Sequence, residues 1–181
     1  MLLDGLVIGC IVSLFRGGKF KNLLNIQLQA IWLILFAFVV QYGAIFIFPN
    51  LLWIATPVSY FILMLFGYYN RKQAGVRFII VGIALNLIVM VANQGRMPVD
   101  VNSAKKLYPE LVPQLLSGSY GKHIAMSNYT NFNLLGDIFY LHWPYPHQTL
   151  ISLGDILFSI GIFLFVQNAM VIKETSLKGN F

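Results

Sequence analysis

Long apolar runs decide what this chain can fold into. Leu24 to Phe48, Leu51 to Tyr69, Phe78 to Gln94 and Thr149 to Ile172 each meet or approach the roughly 20 residues a helix needs to cross a hydrocarbon core. A fifth run, Met1 to Phe15, is short, with Asp4 near its start and Arg16 directly after its end, so it spans only with slight bilayer thinning. Pro49-Asn50 separates the second run from the third in a tight, uncharged turn. With 10% charged residues and a mean hydropathy of +0.74, a water-soluble domain of 181 residues could not hide this much apolar surface in one core. The expectation is an all-α, polytopic membrane helical bundle of about five transmembrane helices (1–15, 24–48, 51–69, 78–94 and 149–172), forming a single domain over 1–181.

The charges set the orientation. Arg16, Lys19 and Lys21 in the first connection, Arg71, Lys72 and Arg77 in the third, and Lys173 and Lys178 in the tail all fall on one side of a five-span chain. That makes this side cytoplasmic, with the N-terminus outside and the C-terminus in the cytoplasm. The net charge of +6 therefore reads as topology, and no nucleic-acid partner is expected. Cys10, the sole cysteine, allows no intrachain disulfide and reads as a small buried hydrophobe. The lipobox-like Val7-Ile8-Gly9-Cys10 lacks a basic segment before it.

The outer connection, 95–148, is too long to be a bare link and should carry its own structure. Ser103 to Leu116 is expected to form a short interfacial helix started by Ser103, its regularity limited by Pro109 and Pro113. Tyr120, Tyr129, Phe132, Phe139, Tyr140, Trp143 and Tyr145 follow, and rings of this kind favour the headgroup region.

Ionisable groups at span edges are the natural functional candidates. The topology brings Asp4, Asn93, Arg96, Asp137 and Asp155 to the outer edge. Asp137 and Asp155 sit in near-duplicate pentapeptides, Leu135-Gly-Asp-Ile-Phe139 and Leu153-Gly-Asp-Ile-Leu157. Two neighbouring carboxyls do not easily ionise together, so one is expected to act as general acid and the other as general base toward water. Each also has a plainer structural role to play. Asp155 suits a helix N-cap, Asp137 a turn, and Asp4 the favourable end of a helix dipole, while Arg96 suits either snorkelling to headgroups or pairing with a carboxylate. His142 and His147 flank Pro144 and Pro146 without the companions a metal site needs, so neither metal nor cofactor is expected.

Asp137-Ile-Phe-Tyr-Leu-His142-Trp143 through Ser152-Leu-Gly-Asp155, followed by an apolar helix, resembles the dyad region of the lipoprotein signal peptidases. This resemblance implies Asp137 and Asp155 as a catalytic pair with Asn93 as a polar supporter. Where those peptidases carry Phe-Asn-x-Ala before the second aspartate, this chain has Ile151-Ser-Leu-Gly154. Over its whole length the chain is similar to a family of small bacterial membrane proteins, domain of unknown function 5317. That likeness rests on Asn93-Gln-Gly-Arg-Met-Pro-Val99 and Leu153-Gly-Asp-Ile156, and it implies no activity. Two functions are therefore expected. One is an aspartate-dyad hydrolase at the outer face, with His142 and Trp143 beside it. The other is a non-catalytic protein that binds a lipid, a peptide, another small ligand or a partner membrane subunit through the outer loop.

Overall fold

In the computed structural model the chain is mostly helical, and the structure describes residues 2–143 and 148–171. Five apolar helices appear: α1 (Leu2–Phe15), α2 (Trp32–Phe46), α3 (Leu52–Tyr69), α4 (Val76–Ala92) and, last in the chain, α7 (Leu153–Val171). Two apolar helical stretches are long enough to cross a membrane, Pro49–Tyr69, which includes α3 and the turn before it, and Leu153–Val171. At 1.5 Å per residue, α1, α2 and α4 reach only about 21 to 26 Å. The expected second run begins late. Residues Phe20–Asn25 form a 3-10 helix, and α2 starts only at Trp32. The cause is Asn70, the C-cap of α3, whose amide accepts from Gln29 N at 2.9 Å and donates to Gln29 O at 2.9 Å. This holds the intervening backbone out of helix, and Ala30 takes a φ of 52°. Lys173 and Lys178 lie outside the described residues.

The principal packings run in one row, α2 on α3, α3 on α4, α4 on α7 and α7 on α1. Neighbours in the row are antiparallel except the last pair. Gly5 meets Ser159, Gly9 meets Phe163 and Val166, and Ser13 bonds Gln167, so α1 runs parallel to α7. Gln167 ties these two helices together, donating to Gly9 O and Ser13 Oγ and accepting from Arg16 at 2.7 Å.

Apolar side chains face outward as well as inward, and several polar ones lie inside. Ser13, Thr56, Ser59, Asn86 and Gln167 are buried between the helices, while Phe36, Val39, Phe46, Phe61 and Val91 face outward. One end of the row gathers the basic connections. Lys19 N donates to Met170 O, Gln29 joins Asn70, and Arg16 shares a groove with Ala74, Gly75 and Val171.

The long connection covers the opposite end and corrects the all-α expectation. It contains β1 (Met97–Val99), parallel to β2 (His123–Ala125), and β3 (Phe139–Leu141), antiparallel to β4 (Thr149–Ile151). The β3–β4 pairing delays the last helix from residue 149 to Leu153. The interfacial helix is two pieces, α5 (Val101–Leu107) and α6 (Val112–Leu116), joined by a 3-10 turn at Pro109–Leu111. Asp100, not Ser103, caps α5 by accepting from Ser103 N at 2.8 Å. Val99, Ala104, Val112 and Leu115 form a small core of the loop's own, with Tyr120 and Leu150 packed against it.

Candidate functional site

The site begins with four glycines. Gly75, the N-cap of α4, and Gly82 within it stand seven residues apart, as do Gly154 and Gly161 on α7, and the antiparallel helices match them, Gly82 to Gly154 and Gly75 to Gly161. A Cβ on Gly154 would lie 2.1 Å from Asn86 Oδ1 and 2.6 Å from Gly82 O, so only glycine permits this approach. Small residues let apolar helices pack backbone to backbone.

The close crossing brings Asn86 of α4 to the first turn of α7. Asn86 Nδ2 donates to Asp155 Oδ1 at 3.0 Å, and Ser152 Oγ donates to Asn86 Oδ1 at 2.8 Å. Ser152 and Asp155 also bond reciprocally, Ser152 N to Asp155 Oδ2 at 3.1 Å and Asp155 N to Ser152 Oγ at 3.0 Å. This is a capping box, with Ser152 as the N-cap and Asp155 as the residue three positions on. The expectation that Asp155 itself occupies the N-cap is corrected by one turn of register.

Asp155 also lines a cavity of about 270 Å³ between α2, α3, α4 and α7, roofed by Lys122 from the loop. Its walls form two tiers. The tier nearest the loop is polar, with Gln41, Ser59, Tyr60, Asn86, Lys122 and Asp155. One helical turn deeper the lining is apolar, with Ala37, Phe38, Leu63, Ile83 and Phe158. Ser59 Oγ contacts Gln41 Oε1 at 2.5 Å, and Gln41 Nε2 is buried without a partner. Leaving a buried amide nitrogen without a partner costs about 1 to 3 kcal/mol. Lys122 Nζ stands 5.9 Å from the centroid of the Tyr60 ring. Burial opposes the lysine's charge, but Tyr60, Asp155 and Asp137 outweigh it and hold the ammonium above its ordinary pKa.

A second cavity, of about 390 Å³, lies within the loop, lined by Tyr108, Leu115, Tyr120, His123, Asp137 and Leu150 among others. The local sheet builds it. Met97 N bonds Lys122 O on one edge of β1, whereas Asp137 N bonds Pro98 O and Asp100 N bonds Asp137 O on the other edge. His123 and Asp137 therefore flank β1, and their side chains approach across it, Nε2 to Oδ2 at 3.7 Å. Burial, reinforced by the negative charge of Asp155 and opposed by Lys122, raises Asp137 to about 8. Burial and the adjacent Lys122 lower His123 to about 4. At neutral pH this is a protonated carboxyl beside an uncharged imidazole.

Asp137 and Asp155 are thus electrostatically linked, yet they line different cavities with the Lys122-His123 dipeptide on the shared wall. The other sequence candidates fall elsewhere. Asn93, the C-cap of α4, accepts from Asn131 N and donates to Asn131 O, both at 2.8 Å, and so fastens the loop to the helix row as Asn70 fastens Gln29. Arg96 neither snorkels free nor pairs with a carboxylate, since its guanidinium donates to Gly118 O. Asp4 is half-buried in the first turn of α1. His142 is exposed and meets Tyr140 edge-on, and Trp143 is 79% exposed. Tyr145 and His147 lie outside the described residues, among which no three His, Cys, Asp or Glu side chains cluster as a ligand set. Sequence reasoning missed Asn86, Lys122, His123 and Ser152. Only Ser152 carried a local signal, the Ser-x-x-Asp spacing before an apolar run.

The family model described as a family of unknown function, DUF5317, matches residues 25–167. An uncharacterized protein of Thermotoga maritima is 31% identical over 167 residues, covering 91% of this chain and 89% of its own length. No solved structure matches.

Proposed function

The chain belongs to DUF5317, a family of unknown function, and from that premise we propose a five-span protein of the cell membrane that binds an amphiphile of the outer leaflet in the two-tiered cavity. Its N-terminus is outside and its C-terminus cytoplasmic. Support for the membrane comes from the outward-facing aromatics and aliphatics on every long helix, the inward serines and amides, and the basic connections at one end. The helices of 14 to 17 residues are accommodated by local thinning and by the turns that extend them. Trp32 at the basic end of α2 and Trp53 at the loop end of α3 suit the two interfaces. Labelling single cysteines in a Cys10→Ser background tests the topology. Lys106→Cys should react from outside and Lys72→Cys only after permeabilisation, and the reverse pattern would refute the orientation.

One observation carries the binding reading: the cavity is polar at the loop end and apolar one turn deeper. That sequence of surfaces matches a headgroup followed by a chain, entered from the side facing lipid. Leu63→Trp fills the apolar tier. The wild-type chain, purified in detergent, should retain lipid that mass spectrometry identifies, and Leu63→Trp should lose it while remaining folded. Equal retention by both would sink the assignment.

A second reading, hydrolysis by Asp137 and Asp155, is favoured by the raised pKa of Asp137. A protonated Asp137 suits the acid role of such a reaction, which leaves the base role to Asp155. In proteoliposomes, cleavage of ester lipids or of a membrane peptide by the wild-type chain but not by Asp137→Asn would support it. Absence of product from the wild-type chain would end it.

A further inference from the structure

Resting on the amphiphile reading, we propose that the cavity selects a zwitterionic lipid headgroup, one carrying both a phosphate and a primary ammonium. The polar tier holds one cation and one anion, Lys122 and Asp155, and both line the same wall space. Lys122 carries three N–H donors and lines the cavity beside Tyr60. The carboxylate of Asp155 accepts one bond at each oxygen, from Asn86 Nδ2 and Ser152 N, and each oxygen keeps a further acceptor site. Gln41 adds a buried amide nitrogen with no partner, available to a phosphate or ester oxygen.

Charge complementarity decides the head. An anionic headgroup would satisfy Lys122 but face Asp155 uncompensated, and a cationic one would do the converse. A head with both signs answers both, the phosphate meeting Lys122 and the ammonium meeting Asp155. Asn86 and Ser152 contribute by fixing Asp155 in one orientation, which turns the pair into a reader of head polarity. The apolar tier below then takes the start of an acyl chain.

The test is a competition on the purified full chain, delipidated and reloaded in nanodiscs, with phosphatidylethanolamine against phosphatidylglycerol of identical chains. Wild type should prefer phosphatidylethanolamine roughly tenfold, about 1.4 kcal/mol. Asp155→Asn should shift the preference toward phosphatidylglycerol, and Lys122→Met should weaken phosphatidylethanolamine binding without favouring the anionic lipid. Equal binding of the two lipids, both lost in Leu63→Trp, overturns the headgroup assignment and leaves the amphiphile reading standing. If neither lipid binds, or if soluble glycerophosphoethanolamine competes as well as the intact lipid, both readings fall.

Discussion

Replacing Asp137 by Asn changes the pH dependence of unfolding in a direction its surroundings set in advance. In the folded chain Asp137 is raised from 3.8 to about 8, and His123 is lowered from 6.5 to about 4. A carboxyl raised by folding keeps a proton that the unfolded chain sheds. Its contribution is complete below 3.8 and lost as pH climbs through about 8. A histidine lowered by folding behaves oppositely, complete above 6.5 and lost as pH falls through about 4. Each pH unit over which one such group differs in protonation between the two states is worth about 1.4 kcal/mol. The two slopes oppose each other between about pH 4 and 6.5, and the carboxyl slope alone remains from there to about 8. The lower limb is therefore nearly flat. Wild-type stability should therefore drop by about 2 kcal/mol over the upper interval. In Asp137→Asn that drop disappears and stability rises from acid to neutral pH, whereas in His123→Asn the decline runs through the whole range. Equilibrium unfolding in mixed micelles, repeated across this range, reads all three profiles. A wild-type profile flat above pH 6.5, or an unchanged slope in Asp137→Asn, would refute the burial of Asp137 as a neutral acid.

Other substitutions probe the scaffold. Gly154→Ala places a methyl 2.1 Å from Asn86 Oδ1 and should cost roughly 1 to 3 kcal/mol in the same unfolding assay. Asn93→Ala removes both bonds to the Asn131 backbone, and limited proteolysis should then cut the outer loop faster, with helix content by circular dichroism unchanged. Ser152→Ala opens the capping box and should lower stability by about 1 kcal/mol. Gln41→Leu removes a buried amide nitrogen without a partner together with the contact between its oxygen and Ser59, so stability should stay within about 1 kcal/mol of wild type while lipid retention falls.

The helices were legible because apolar length is a local property, and their boundaries were less so because distant partners set them. Nothing near residue 29 announces that Asn70 will claim its backbone, and nothing near Thr149 announces its pairing with Leu141. Asp155 was recognised as a helix-start residue but placed one turn early, although Ser152 three positions before it held the correct register. Lys122 and His123 escaped notice because a turn after Gly121 has no periodicity, and their meaning arises only when β2 aligns with β1. The matching seven-residue glycine spacings, one inside the last run and one beginning just before the fourth, were readable and went unread. In an apolar helix, the absence of a side chain at regular spacing is as informative as its presence.

The parallel docking of α1 on α7 has a consequence in time. Among the described helices α1 is made before α7, against which it rests, and α2 to α6 are synthesised between them. At 5 to 20 residues per second, about 7 to 30 seconds pass before that partner exists. Throughout that delay Arg16 lacks Gln167, the side chain it later contacts. The contact between α1 and α7 therefore has to wait until the chain from α2 to α6 has been made.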